Sequence, residues 1–301
     1  MTIQIPQHFV DQYSANVQHL LQRKGGKYRM CVEEDTHYGE QSVVVNQFGS
    51  VEMEEVTERF QPMGRTDINL QRVWLTPRSF DIPPMMIDSF DRLRLEMTDA
   101  DSQMARAGAY AVKRQIDNII ANAFFTDMQI GQRGTSTQAF DTTNHRVDAA
   151  IGSSGDTGLN VEKIIRGLRI MEELEIDIEE EGPVYLAITP KQRENLMNQV
   201  KVVSADYFNV KGNPVYVDGK LKSWGGVELI CTTKVPSNAS YRLNPMWIKS
   251  GMHFGLWKDM QVMVDPRPDI RGRPIQTYFT MSMNATRREA GRVLMLENLE
   301  A

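Results

Sequence analysis

Cysteine is nearly absent from this 301-residue chain: Cys31 and Cys231 lie far apart and form no CxxC or zinc-type spacing. That excludes a disulfide scaffold and a structural zinc site, and predicts two reduced thiols. Histidine is almost as sparse, with His8, His19, His37, His145 and His253 dispersed and none in an HExxH or similar ligand spacing. Metal catalysis is therefore not expected. No apolar run approaches the roughly 18 residues of a membrane span, and MTIQIPQHFVDQYSANVQHL lacks the basic head and apolar core of a signal peptide. The chain is expected to be cytosolic when made. There is no GxSxG elbow and no GxGxxG turn, and GSSGDTG at 152–158 lacks the GK[ST] ending of a phosphate loop. With no nucleophile–base pair at a recognisable spacing, neither an enzyme nor a bound cofactor is expected. An excess of positive charge is missing too: the net charge of -5 argues against binding nucleic acid through the overall field.

What is present is ordinary globular composition, 41% hydrophobic and 24% charged, enough for a sizeable core. The 18 methionines suit cores or interfaces that adapt in shape. The clearest element is 98–127, TDADSQMARAGAYAVKRQIDNIIANAFFTD. Thr98 is a good N-cap, Asp101 fits a capping-box variant, and Asp99 adds negative charge at the positive end of the helix dipole. Ala105, Ala109, Val112, Ile116, Ile120 and Ala123 keep one apolar stripe inward. Arg106, Lys113, Arg114 and Asp117 are assigned to the opposite, polar face. A helix of this length is a spine.

Before it, 1–40 reads as an arm with a short amphipathic helix and a breaker, RKGGKYR. Residues 41–82 turn β-branched, in VVVNQF, VEMEEV and INLQRVWL, with a turn at Gln61-Pro62-Met63-Gly64. This predicts a long hairpin closed by Pro83-Pro84. A lone two-stranded ribbon is marginal in water, so it must lie on its own body or on a neighbour. Glu52, Glu54, Glu55 and Glu58 on one arm and Arg65, Arg72 and Arg78 on the other suit either cross-strand pairing or charge-guided docking onto an adjacent subunit.

After the spine, 131–158 is rich in Gly, Ser, Thr and Asp and reads as a loop. From Leu159 helices and strands mix: a helix capped by Asn160, the strand PVYLAIT, a helix opening at Pro190, then VELICTTKV and the stretch around Trp247. The tail is strand-like, with MQVMV, the polar turn PDIRGRP, and TYFTMSMNA alternating Thr277, Phe279, Met281 and Met283 against Tyr278, Thr280, Ser282 and Asn284. RVLML is its expected partner, and this sheet is expected beneath the spine. The class is α+β.

The local clusters carry little chemistry. Asp141, His145 and Asp148 read as polar loop residues, and the seven carboxylates between Glu172 and Glu181 as a solvated face. Trp74, Trp224, Trp247 and Trp257 read as core or interface anchors. Arg267, Arg271, Arg273, Arg287, Arg288 and Arg292 crowd the C-terminal strands, where intersubunit pairing is the preferred reading.

The order of these parts, with DSFDRLRLEMTDADSQMARAGAYAVKRQIDNIIANAFF at its centre, resembles tailed-bacteriophage major capsid proteins, whose fold is shared with encapsulins. The resemblance implies an N-terminal arm (1–40), an extended β-hairpin loop (41–82), a peripheral domain with the spine helix (83–158 and 260–301) and an axial α/β domain (159–259). It implies self-assembly into pentamers and hexamers of an icosahedral head enclosing double-stranded DNA, in a virion assembled in the host cytoplasm. Implied partners are further copies of the chain, a separate scaffolding protein, a portal and a decoration or cement protein. Contacts between copies are then expected at the seven hairpin charges and at Arg267, Arg271 and Arg273. The polar spine residues are expected to look toward the shell interior or a neighbour. Some relatives weld the shell by an isopeptide bond from a loop lysine, but this chain has no lysine between Lys27 and Lys113; a noncovalent shell is expected. The alternative on the same fold is an encapsulin-type compartment.

Overall fold

The computed structural model describes residues 25–49, 53, 55, 70–87, 100–152, 155–199, 215–217 and 220–300. The predicted arm helix, the hairpin turn at 61–64 and the Thr98 cap lie outside them. Short strands β1 (Glu33–Thr36) and β2 (Ser42–Phe48) lead to β3 (Leu70–Leu75) and the longer β4 (Arg78–Ile87). Helix α1 (Ala100–Ala123) follows, then β5 (Met128–Ile130), β6 (Ser136–Gln138) and β7 (Arg146–Val147). Next come α2 (Val161–Glu173), α3 (Ile178–Glu181), β8 (Val184–Ile188) and α4 (Pro190–Met197). The rest is β9 (Val215–Val217), β10 (Lys220–Trp224), β11 (Val227–Cys231), β12 (Ser237–Asn238), β13 (Tyr241–Ile248), β14 (Met252–Pro266), β15 (Ile275–Arg287) and β16 (Val293–Leu299).

These strands form three sheets. One runs β1-β14-β15-β4, one β7-β16-β13-β8-β11-β10-β9 with β12 on β13, and one β2-β3-β5-β6. The alternation read in TYFTMSMNA holds: Thr277, Phe279, Met281 and Met283 are buried on β15, and α1 lies over this strand. Gly108 sets the approach of helix to sheet, because a Cβ there would come within 2.2 Å of the Phe279 ring. Ile116, Ile119 and Ile120 bury the inner stripe of α1.

The core is continuous across the sheets through Trp247, which is fully buried on β13. Its ring meets Phe124, Tyr28 and Tyr185, and its Nε1 donates to the Cys31 carbonyl at 2.8 Å. A second apolar cluster gathers α2, β8, β11 and β16 around Ile164, Met171, Leu186 and Leu296. Local signals act as expected here. The Asn160 side chain caps α2 through the Lys163 amide, and Thr189 and Gln192 form a capping box on α4 with Pro190 in the first turn.

Four expectations are corrected. Pro83-Pro84 does not end a ribbon, because β4 runs through both prolines to Ile87 and pairs with β15. Prolines are tolerated there because β4 is an edge strand and its register slips between Ile82 and Met85. The returning arm of the hairpin pairs with β2 only to Leu75, so Arg78 belongs to a different sheet. The stretch after α1 is not all loop: β6 joins β5 beside β3 and broadens the hairpin base, and β7 pairs β16. Finally RVLML pairs with β13, not with TYFTMSMNA. Length and alternation are alike in several strands here, so pattern alone does not select the partner.

Candidate assembly surfaces

The base of the hairpin is fixed to the body by side chains. Gln47 Nε2 donates to the Arg288 carbonyl at 2.6 Å, and the Arg288 guanidinium pairs with Glu33 on β1. Trp74 donates from Nε1 to the Gly131 carbonyl at 2.6 Å, tying β3 to the segment after α1. Beyond this base the ladder emerges into solvent. Phe48 and Leu70 are register partners and are 71% and 63% exposed. An apolar cross-strand pair left this open is unusual on an isolated surface.

Of the hairpin charges, Glu52, Glu54, Glu58 and Arg65 lie outside the described residues. Glu55 is exposed, and Arg72 is exposed on β3 opposite Asn46 rather than opposite a glutamate. Arg78 is exposed opposite Met283.

The β14–β15 hairpin makes a second projecting surface. Its outer half exposes Met260, Val262, Met263, Val264 and Ile270. Arg267 is held at its neck by a bidentate pair with Asp269 and by Gln276, and the guanidinium pulls the Asp269 carboxyl down to about 2. Arg271 and Arg273 are exposed at the tip. Arg273 sits at φ 42°, a left-handed conformation that costs a residue bearing a Cβ on the order of 1 kcal/mol.

On α1, Arg106 and Lys113 are exposed and Arg114 is half-buried. Asp117 does not belong with them: it is fully buried and accepts from the amides of Lys27 at 2.9 Å and Tyr28 at 3.2 Å. This inner carboxylate gives the amides of the incoming chain their acceptor at α1. Gly25 makes the same approach possible, since a Cβ there would lie 2.6 Å from the Arg114 amide nitrogen.

Besides Arg267, three of the crowded C-terminal arginines act within the chain. Arg287 is buried, donates to the Phe124 carbonyl at 2.5 Å and lies over the Phe140 ring, and burial lowers it to about 10. Arg288 pairs with Glu33, and Arg292 bridges Glu181, Glu289 and Ser250. Asp141 shapes its own turn by accepting from the amides of Thr143 and Asn144, and His145 passes a carbonyl to Met295. The acidic run is solvent-facing apart from Ile176, Ile178 and Glu181, which are half-buried.

Sequence reasoning missed Lys163, buried and donating to the carbonyls of Thr157, Gly158 and Glu297 and to Asn298 Oδ1 at 2.8–3.2 Å. Burial lowers it to about 8, so it stays an ammonium at neutral pH. A lysine one turn into a capped helix looks solvated in sequence; nothing local marks it. Among the described residues, the cleft between α1 and β4 lined by Phe80, Gln115, Ile119 and Asn284 among others contains no histidine, cysteine or carboxylate, and the adjoining cleft over β15 adds one carboxylate, Asp81. The first of these offers no nucleophile and base together.

A family model described as Phage capsid protein matches residues 5–300. Comparison by sequence with curated proteins gives no match. Among solved structures, the chain is similar to the capsid of Ralstonia phage GP4, with 9% identity, TM-score 0.70, and coverage of 97% of this chain and 95% of that one. It is similar to the capsid of Cyanophage P-SCSP1u at 14% identity and TM-score 0.68, covering 97% and 94%. The SrpI encapsulin of Synechococcus elongatus PCC 7942 shares the fold at 10% identity and TM-score 0.63, covering 96% and 93%. With a phage major-capsid fold and a family match over nearly its whole length, the chain belongs to the phage capsid protein family: it is a structural protein of a virion shell that assembles with its own copies, not an enzyme.

Proposed function

We propose that the chain builds pentamers and hexamers of an icosahedral head around double-stranded DNA. The observation that carries this is the open Phe48–Leu70 pair on the hairpin, an apolar ladder step that a neighbouring copy covers. Ring closure needs two different complementary surfaces per subunit. The β2–β3 hairpin, with Glu52, Glu54, Glu55, Glu58, Arg65 and Arg72, supplies one. The β14–β15 tip, with Arg271 and Arg273, contributes to the other.

In this scheme 1–40 is the arm, 41–82 the extended loop, 83–158 with 260–301 the peripheral domain, and 159–259 the axial domain. The pairing of β16 with β13, and of β7 with β16, supports counting 146–147 and 293–299 with the axial sheet. Arg106 and Lys113 face the interior or a neighbour. A scaffolding protein directs assembly in the host cytoplasm, and a portal and decoration protein complete the head. The negative net charge suits a wall that holds DNA loosely.

The test is expression with and without the cognate scaffolding protein, followed by sizing and negative-stain imaging of wild type and Phe48→Asp. Wild-type rings or shells, and a folded Phe48→Asp subunit that forms none, are expected. A wild type that stays a small monomer in every condition overturns the reading. The likeness to an encapsulin favours a second reading, a shell around protein cargo; nucleic acid or protein inside purified particles separates the two.

A further inference from the structure

The turn between β1 and β2, where the chain leaves the body for the hairpin, holds two buried histidines in contact. His37 Nε2 and His253 Nε2 are 2.7 Å apart, and Ser42 Oγ lies 2.7 Å from His37 Nδ1. His253, on β14, is 1% exposed and His37 is 9% exposed. Two ring nitrogens at this distance share one proton, one as N–H and the other as lone pair. With both rings neutral one direction fits the surroundings best. Ser42 donates to His37 Nδ1, His37 Nε2–H donates to His253 Nε2, and His253 Nδ1–H is left facing the Asp35 carboxylate, 3.7 Å away. The opposite direction would aim a lone pair at that carboxylate.

The site is closely walled. From β1 it is faced by Asp35, while Glu33 beside it is paired to Arg288. From β15 comes Thr286, in register with His253, and just past its end Arg288, whose positive charge opposes protonation of His253. From β14 the Trp257 ring lies 5.1 Å from that of His37 and its Nε1 donates to the Gly39 carbonyl. Leu75 of β3 closes the remaining side. A Cβ on Gly255 would come within 2.7 Å of His37 and 2.8 Å of Leu75, so both side chains pack directly against the β14 backbone.

We propose that His37 and His253 form a proton-operated latch at the base of the β2–β3 hairpin: closed while they share a proton, open once both rings are charged. One added proton is tolerated, because an imidazolium still donates to a neutral imidazole. A second sets N–H against N–H and like charge against like charge at contact distance. Asp35 alone does not neutralise both. The first residue of β2 then loses its hold on β14, leaving Gln47 to the Arg288 carbonyl as a described side-chain tie between β2 and the segment just after β15. Burial lowers His37 below its ordinary value and His253 to about 4, which keeps the latch closed at neutral pH.

The experiment is hydrogen–deuterium exchange on the purified full chain, held in one assembly state checked by sizing, between about pH 7 and about pH 4 and corrected for intrinsic exchange. Amides of 42–48 should lose protection by about tenfold or more in acid, while those of 241–248 keep theirs. In His253→Gln, and separately in His37→Gln, an uncharged amide takes the ring's place and the acid-dependent loss should vanish. Unchanged protection of 42–48 in wild type, or the same acid response in both variants, overturns the latch. Nitrogen-15 histidine shifts of wild type give a readout independent of the variants. Two separated proton uptakes, the second coinciding with loss of protection, support it; two independent titrations near the ordinary value sink it.

Discussion

The ring of Phe124, just past the end of α1, lies 4.5 Å from that of Trp247 on β13, joining the spine helix to the eight-stranded sheet. Both side chains are fully buried. Trp247→Ala removes this joint together with the Nε1 bond to Cys31, and should destabilise the unassembled subunit by about 3–5 kcal/mol. Urea unfolding followed by far-UV circular dichroism measures it; a loss below about 1 kcal/mol would mean the two sheets are held elsewhere.

Gly108→Ala sets helix propensity against packing. Alanine favours the helix by about 1 kcal/mol, but its methyl would enter the buried Phe279 ring. Packing should win, with a net loss of about 1–2 kcal/mol in thermal or urea unfolding. A stabilised variant would show that α1 can lift from β15 at little cost.

Lys163→Met leaves three backbone carbonyls and Asn298 without their shared donor and should cost on the order of 2–3 kcal/mol. The pH dependence has a definite sign. The folded chain gives up this proton near 8 and the unfolded chain near 10.5, so the unfolded chain binds more protons in between. The wild-type stability advantage over the variant should therefore grow as pH rises through that window. Equal slopes for the two proteins contradict the assignment.

Reversing Glu54 and Glu55 to Lys tests charge guidance by the hairpin. Wild-type assembly should weaken as ionic strength rises, since exposed charges are screened within about 10 Å at 0.1 M salt. The double variant should assemble more slowly at low salt, as followed by light scattering. Assembly indifferent to both changes leaves the hairpin charges without that role.

The lysine-free stretch from 28 to 112 predicts shells without loop crosslinks. Mature particles boiled in detergent should run as one band at the mass of the single chain. A ladder of multiples would require crosslinks from another lysine.

Sequence disclosed the elements whose signals are local. The apolar spacing from Val112 to Ala123 marks α1, the alternation from Thr277 to Met283 marks β15, and Asn160 as a cap and Pro190 in a first turn mark helix starts. Partners were hidden because a strand's sequence says which face is buried but not what lies beside it; Val293–Leu299 went to β13 for that reason. Pro83-Pro84 misled because proline's penalty depends on whether a strand is central or at an edge, a tertiary fact. Asp117 looked like a neighbour of Lys113 and Arg114 on a wet face, yet its meaning comes from Lys27 and Tyr28, ninety and eighty-nine residues away. The paired histidines are 216 residues apart and leave no trace in spacing.

The two prolines in β4 also give the β1-β14-β15-β4 sheet a polarity. Pro83 and Pro84 bring no N–H to its outer rim, and the slipped register beside them bends the rim out of line. At the opposite rim, β1 covers only His253 to Leu256 of β14, and Gln261 to Pro266 continue past it, paired to β15 on one side. Among the described residues, then, the two borders of this sheet differ: β4 carries two prolines, and β14 past Leu256 has β15 on one side and no pairing to β1 on the other.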